Sequence, residues 1–107
     1  MPYDEGLADQ VREVLAARAD ISEREMFGGI GFMIGGKMAV GVIGEDLIVR
    51  LDPDEAAKAL AEEGVREFDF TGRPMKGWVY VAPEATGDDR LGGWVDAGAD
   101  YASSLAE

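Results

Sequence analysis

Arg73, Lys76 and Trp78 fall within one short stretch, Thr71-Gly-Arg-Pro-Met-Lys-Gly-Trp78, and a further cation, Arg50, closes an apolar run upstream. These residue types suit recognition of a carboxylate or phosphate: a guanidinium offers paired donors, an ammonium a point charge, and an indole a flat surface beside them. The competing reading pairs the cations with surrounding acids and places Trp78 in the core. Nothing else in the chain makes a stronger chemical set. Cysteine and histidine are both absent, which removes thiolate nucleophiles, disulfides, the commonest transition-metal ligands and the usual neutral-pH base. Ser22, Ser103 and Ser104 therefore lack an imidazole to activate them and read as capping or solvated hydroxyls. Gly31-Phe-Met-Ile-Gly-Gly36-Lys37 matches the start of a phosphate-binding loop, but Met38 stands where a magnesium-holding hydroxyl is needed, and a strand pattern follows instead of a helix. Carboxylates are plentiful without EF-hand spacing; a magnesium or calcium site built from them alone stays open. No catalytic residue, cofactor or metal is assigned.

Ten Lys and Arg against twenty-two Asp and Glu give a formal net charge of -12. Phosphate neutralisation supplies most non-specific nucleic-acid affinity, so direct duplex DNA binding is not expected. The acidity fits a solvated surface first and recruitment of a basic partner second. No stretch has the length and apolarity of a membrane span or the layout of a signal peptide, and a cytoplasmic location is expected. A chain of 107 residues has room for one domain with its own core, spanning 1–107.

The elements that must position Arg50, Arg73, Lys76 and Trp78 follow from periodicity. Leu7, Val11, Val14 and Leu15 make a helical stripe over residues 4–18. Apolar alternation with glycine turns then predicts strands at 26–34, 37–43 and 47–51, an antiparallel meander. Asp52-Pro53-Asp54-Glu55 reads as a helix cap and first turn, with the helix running over 53–63 to a stop at Gly64. Strands at 65–70 and 76–81 pair through the turn at 71–74, with Val79 and Val81 on one face and Trp78 and Tyr80 on the other. A last helix over 88–106 carries Leu91, Trp94, Val95, Tyr101, Ala102 and Leu105, and its glycines 92, 93 and 98 weaken it unless packing holds it. Gly28, Gly29, Gly31 and Gly41 read as relief of crowding or a bulge. Met26, Met33, Met38 and Met75 read as core filling, with an adaptable groove as the alternative. The fold class is α+β: a two-layer, mostly antiparallel sheet of about five strands in the order α-β-β-β-α-β-β-α.

That order, with Met-Phe-Gly-Gly at residues 26–29 and Gly-Arg-Pro-Met-Lys-Gly-Trp at residues 72–78, resembles the N-terminal domain of the TfoX/Sxy family over nearly the whole chain. Members that regulate bacterial competence carry a second, C-terminal domain, and the chain looks like a stand-alone version of the first. The resemblance implies a non-enzymatic regulatory domain that contacts an unidentified protein, a transcription-related regulator being one class, with homodimerisation open. A small anionic-ligand-binding module is the alternative, and a metal-dependent hydrolase or transferase a further one. Arg50, Arg73, Lys76 and Trp78 are the expected contact residues.

Overall fold

The computed structural model describes residues 3–26, 28–69, 77–87 and 90–105. Helix α1 (Glu5–Leu15) begins where the Asp4 side chain accepts a hydrogen bond from the Leu7 amide at 3.1 Å, and its stripe buries Leu7, Ala8, Val11 and Leu15. Four strands follow: β1 (Ile21–Met26), β2 (Gly29–Ile34), β3 (Lys37–Ile43) and β4 (Asp46–Arg50). Helix α2 (Pro53–Ala59) opens with Asp52 capping the Asp54 amide and Pro53 in its first turn. Strands β5 (Val65–Glu67) and β6 (Trp78–Val81), a 3₁₀ turn (Pro83–Ala85) and helix α3 (Arg90–Leu105) follow. The fold is α+β, one antiparallel sheet in the order β1-β2-β3-β4-β6-β5 with the helices packed on it.

Among the described residues the sheet has six strands instead of about five. Residues 21–26 form an edge strand paired with β2 from Ile21↔Ile34 to Met26↔Gly29. Ser22, Glu23, Arg24 and Glu25 are all exposed, so the middle of this strand buries no face and carries no apolar alternation to betray it. Gly28, at φ +76°, turns the chain into β2. Helix α2 ends at Ala59, four residues before its expected last residue at 63. Strand β5 ends at Glu67; the turn at 71–74, the start of the last strand at 76 and the ends of the last helix at 88–89 and 106 lie outside the described residues.

The strand after α2 does not join the meander directly. Strand β6 lies between β4 and β5, with Val49 opposite Val79 and Val65 opposite Val81. Leu47, Val49, Val79 and Val81 face the helices and share the main core with Val11, Leu15, Val95 and Ala99. The opposite face carries a second cluster of Met38, Ile48, Phe68 and Tyr80, with Met33, Ile43 and Trp78 packed against it. Val79 and Trp78 therefore take the two faces that period-two alternation assigns them. Between Phe32 and Met33 the register slips: Phe32 pairs with Val40 but Met33 with Met38, which leaves Ala39 as an extra, bulged residue. Gly41 is crowded by the Met38 side chain and the Ile30 carbonyl, as expected of a close strand approach.

Candidate functional site

Arg50 ends β4, Trp78 begins β6, and the two are directly paired across the ladder. The Arg50 guanidinium carbon lies 5.0 Å from the Trp78 ring centroid and 5.9 Å from that of Tyr101 on α3. Both rings are half-buried, as is Arg50, so the cation is held by aromatic faces from two different layers of the fold. It makes no ion pair among the described residues. That sets it apart in so acidic a chain: Arg12 holds Glu23 and Asp9, Arg18 holds Asp96 and Asp100, Arg66 holds Asp46, and Arg90 holds Glu62. Arg24 and Lys37 also lack ion pairs there, but both are exposed and have no aromatic partner among the described residues. Of the expected contact residues, Arg50 and Trp78 come together; Arg73 and Lys76 lie outside the described residues.

Tyr101 joins this edge to a groove of about 360 Å³ between α2 and α3. Its apolar lining is Leu51, Ala59, Trp94, Ala97 and Tyr101, and its rim is Asp52, Glu55, Lys58 and Glu62. The groove exists because α3 carries two stripes. Leu91, Val95, Gly98, Ala99 and Ala102 are buried, whereas Trp94, Ala97 and Tyr101, spaced by three and four residues, line the groove on the α2 side. On α2 the buried residues are Ala56 and Ala59, too short to fill the space. Trp94 is fixed by its indole N–H, which donates to the Ala85 carbonyl at 2.9 Å. Reading Trp94 and Tyr101 as core residues on one stripe hides this groove; the i, i+3, i+7 spacing of 94, 97 and 101, offset from the aliphatic stripe, is the signal for it.

Among the described residues the buried side chains are apolar apart from the Tyr80 phenol, and no three His, Cys, Asp or Glu converge as metal ligands would. Burial pushes the Tyr80 phenol up, against the opposing pull of Arg66, so it stays protonated at neutral pH. Ser22, Ser103 and Ser104 are exposed, and the Ser104 hydroxyl donates to the Tyr101 carbonyl at 2.6 Å. Gly35 and Gly36 form the tight β2–β3 turn, both with positive φ, and Lys37 opens a strand. The phosphate-loop likeness therefore ends there, with no helix N-terminus behind it. No helix among the described residues is long and apolar enough to cross a membrane.

Neither the curated proteins nor the solved structures contain a match to this chain. The model of one family, the TfoX N-terminal domain, matches residues 13–102, from the last turn of α1 through most of α3 and including Arg50, Trp78, Trp94 and Tyr101. With the match covering all of the sheet and both walls of the groove, the chain belongs to the TfoX N-terminal domain family.

Proposed function

We propose that this domain is a non-enzymatic regulatory module that acts by binding another protein, with the Arg50–Trp78 edge as part of the recognition surface. Arg50 carries the reading. An arginine with no carboxylate partner among the described residues, held by Trp78 and Tyr101 in a chain of net charge -12, keeps its guanidinium donors ready for an external carboxylate. The aromatic contacts orient it before binding, which lowers the ordering cost of the interaction. Family membership favours a transcription-related regulator as the partner, in the cytoplasm. A second reading, a small anionic ligand at the same guanidinium, is favoured by the same unpaired cation.

The test is affinity capture from native lysate with the wild-type domain, Arg50→Glu, and Lys37→Glu as a charge-matched control on an exposed strand end. A saturable protein partner retained by Lys37→Glu and lost by Arg50→Glu is the expected result. Equal retention by both variants overturns the assignment. Loss of capture on adding millimolar inorganic phosphate, with phosphate itself binding the wild type, favours the small-ligand reading.

A further inference from the structure

The groove between α2 and α3 has the composition of a docking site for a cationic chain. Its floor is apolar and partly aromatic, and three of the four ionisable side chains on its rim are carboxylates, Asp52, Glu55 and Glu62, against Lys58. A volume of about 360 Å³ sits at the small end of the ~300–1,000 Å³ typical of ligand pockets, room for one bulky side chain with a little backbone. Two of the carboxylates are already engaged, Glu62 by Arg90 at 2.8 Å and Glu55 by Lys58 at 3.8 Å. Both pairs are well exposed, so they contribute little and an incoming cation exchanges with them readily. Asp52, an exposed residue on the groove rim, uses one oxygen to cap the Asp54 amide and is in no ion pair among the described residues. An acidic segment would face these three carboxylates and a net charge of -12; a basic one is drawn to both.

We propose that the α2–α3 groove receives a short basic segment of a partner protein. One bulky apolar side chain of that segment sits against Trp94, Tyr101 and Leu51, and lysine or arginine residues on either side of it meet Asp52, Glu55 and Glu62. The aromatic floor supplies the anchor and the rim selects the charge of its neighbours. The proposal rests on the protein-binding reading above and narrows it to the chemistry of the partner.

The probe is a fluorescein-labelled peptide, Gly-Lys-Arg-Leu-Leu-Lys-Arg-Gly, followed by anisotropy at physiological salt. Two companions accompany it: one with Ser-Ser in place of Leu-Leu and the same charge, and one with Glu-Asp in place of each Lys-Arg. Saturable binding of the first peptide alone is the expected result. Glu55→Lys should weaken it by about tenfold or more, equivalent to ~1.4 kcal/mol, and Ala97→Phe, which fills the floor, should abolish it. Glu13→Lys, the same charge change on an exposed position of α1, should weaken it far less. Equal binding of the Ser-Ser peptide, or an equal loss with Glu13→Lys, means attraction to overall charge and overturns the proposal. So does absence of binding by the Leu-Leu peptide. In that event a natural partner whose capture still depends on Arg50 leaves the protein-binding reading standing, whereas Arg50→Glu, outside the groove lining, should not weaken the basic peptide. If Ala97→Phe fails to fold, the comparison of Glu55→Lys with Glu13→Lys decides alone.

Discussion

Gly98 of α3 lies so close to Ala39 of β3 that a β-carbon on the glycine would stand 2.6 Å from the alanine carbonyl oxygen and 2.9 Å from a Val40 methyl. The helix thus rests on the sheet at the bulged residue, and the absent side chain sets the spacing between the two layers. Gly92 and Gly93, on the same helix, have nothing within 4 Å of the equivalent position.

Glycine-to-alanine changes on α3 should therefore have opposite signs. Gly93→Ala gains helix propensity at an exposed site and should stabilise the domain by about 0.5–1 kcal/mol. Gly98→Ala gains the same propensity but drives a methyl into backbone, and overpacking of this kind costs about 1–3 kcal/mol. Chemical denaturation of the two variants checks this. A Gly98→Ala protein as stable as Gly93→Ala would mean that the helix–sheet contact yields.

From the residues alone these three glycines look equivalent, each a weakness in a helix, because propensity is local and close approach is not. The same division runs through the fold. Strands β2, β3, β4 and β6 were legible because each buries residues such as Phe32, Val40, Val49 and Val79 against the helices. Strand β1 was not, since its four central residues are polar and exposed on both faces. At the candidate site, Arg50 and Trp78 could be placed near one another because one lies near the end of a predicted strand and the other near the start of another, toward one edge of the sheet. The groove could not be read so directly, because an apolar stripe containing Trp94 and Tyr101 says which side of a helix avoids water, not whether the facing helix, with Ala56 and Ala59, is bulky enough to cover it.

The Arg50–Trp78 contact should be measurable as a coupling energy. At a partly exposed site a cation–π pair is worth about 0.5–1 kcal/mol, so a double-mutant cycle of Arg50→Ala and Trp78→Ala should return a coupling in that range. Arg50→Ala alone should cost no more than about 1 kcal/mol, since no ion pair among the described residues is lost with it. Zero coupling would show that the two side chains do not interact in solution, and would remove the support for a pre-oriented guanidinium.

A pH-dependent contribution should come from Arg12 and Glu23. Hydrogen bonds from the Arg12 guanidinium, at 2.8 and 2.9 Å, hold the Glu23 carboxyl below the usual carboxylate range, with burial opposing. A lowered folded-state pKa means that the pair stabilises the protein above the unfolded carboxyl's pKa. This stabilisation is lost as pH falls through the folded value. Both side chains are more than a third exposed, so the effect should be no more than about 1 kcal/mol. Glu23→Gln should lower stability at pH 7, and its gap from wild type should close as the solution is taken below the usual carboxylate range. A gap independent of pH would assign the difference to packing.

The charge balance sets an expectation for nucleic acid. A net charge of -12 raises the work of approaching a polyanion before any local cation can act, and at ~150 mM salt surface charges are screened beyond about 8 Å. Fluorescence anisotropy with random duplex DNA at that salt should show no saturable binding. Micromolar or tighter association would contradict the reading of this domain as a protein-binding module without direct DNA contact.

The β1 edge yields the last prediction. Its outer side has no neighbour in the sheet order among the described residues, and an open strand of this length can pair with a second copy. Antiparallel pairing of two identical strands in one continuous sheet keeps opposed residues on the same face, so one residue must stand opposite its own copy. Centring the pair on Arg24 sets arginine against arginine and Glu23 against Glu25 twice; centring it on Glu23 sets glutamate against glutamate. Like charges directly opposite destabilise a ladder, so the polar run that hides β1 from periodicity also guards it. The triple variant Glu23→Thr/Arg24→Val/Glu25→Thr should accordingly self-associate in a concentration-dependent way in sedimentation experiments, beyond whatever the wild type shows. If the variant sediments as the wild type does at every concentration, the charges are not what keeps this edge unpaired.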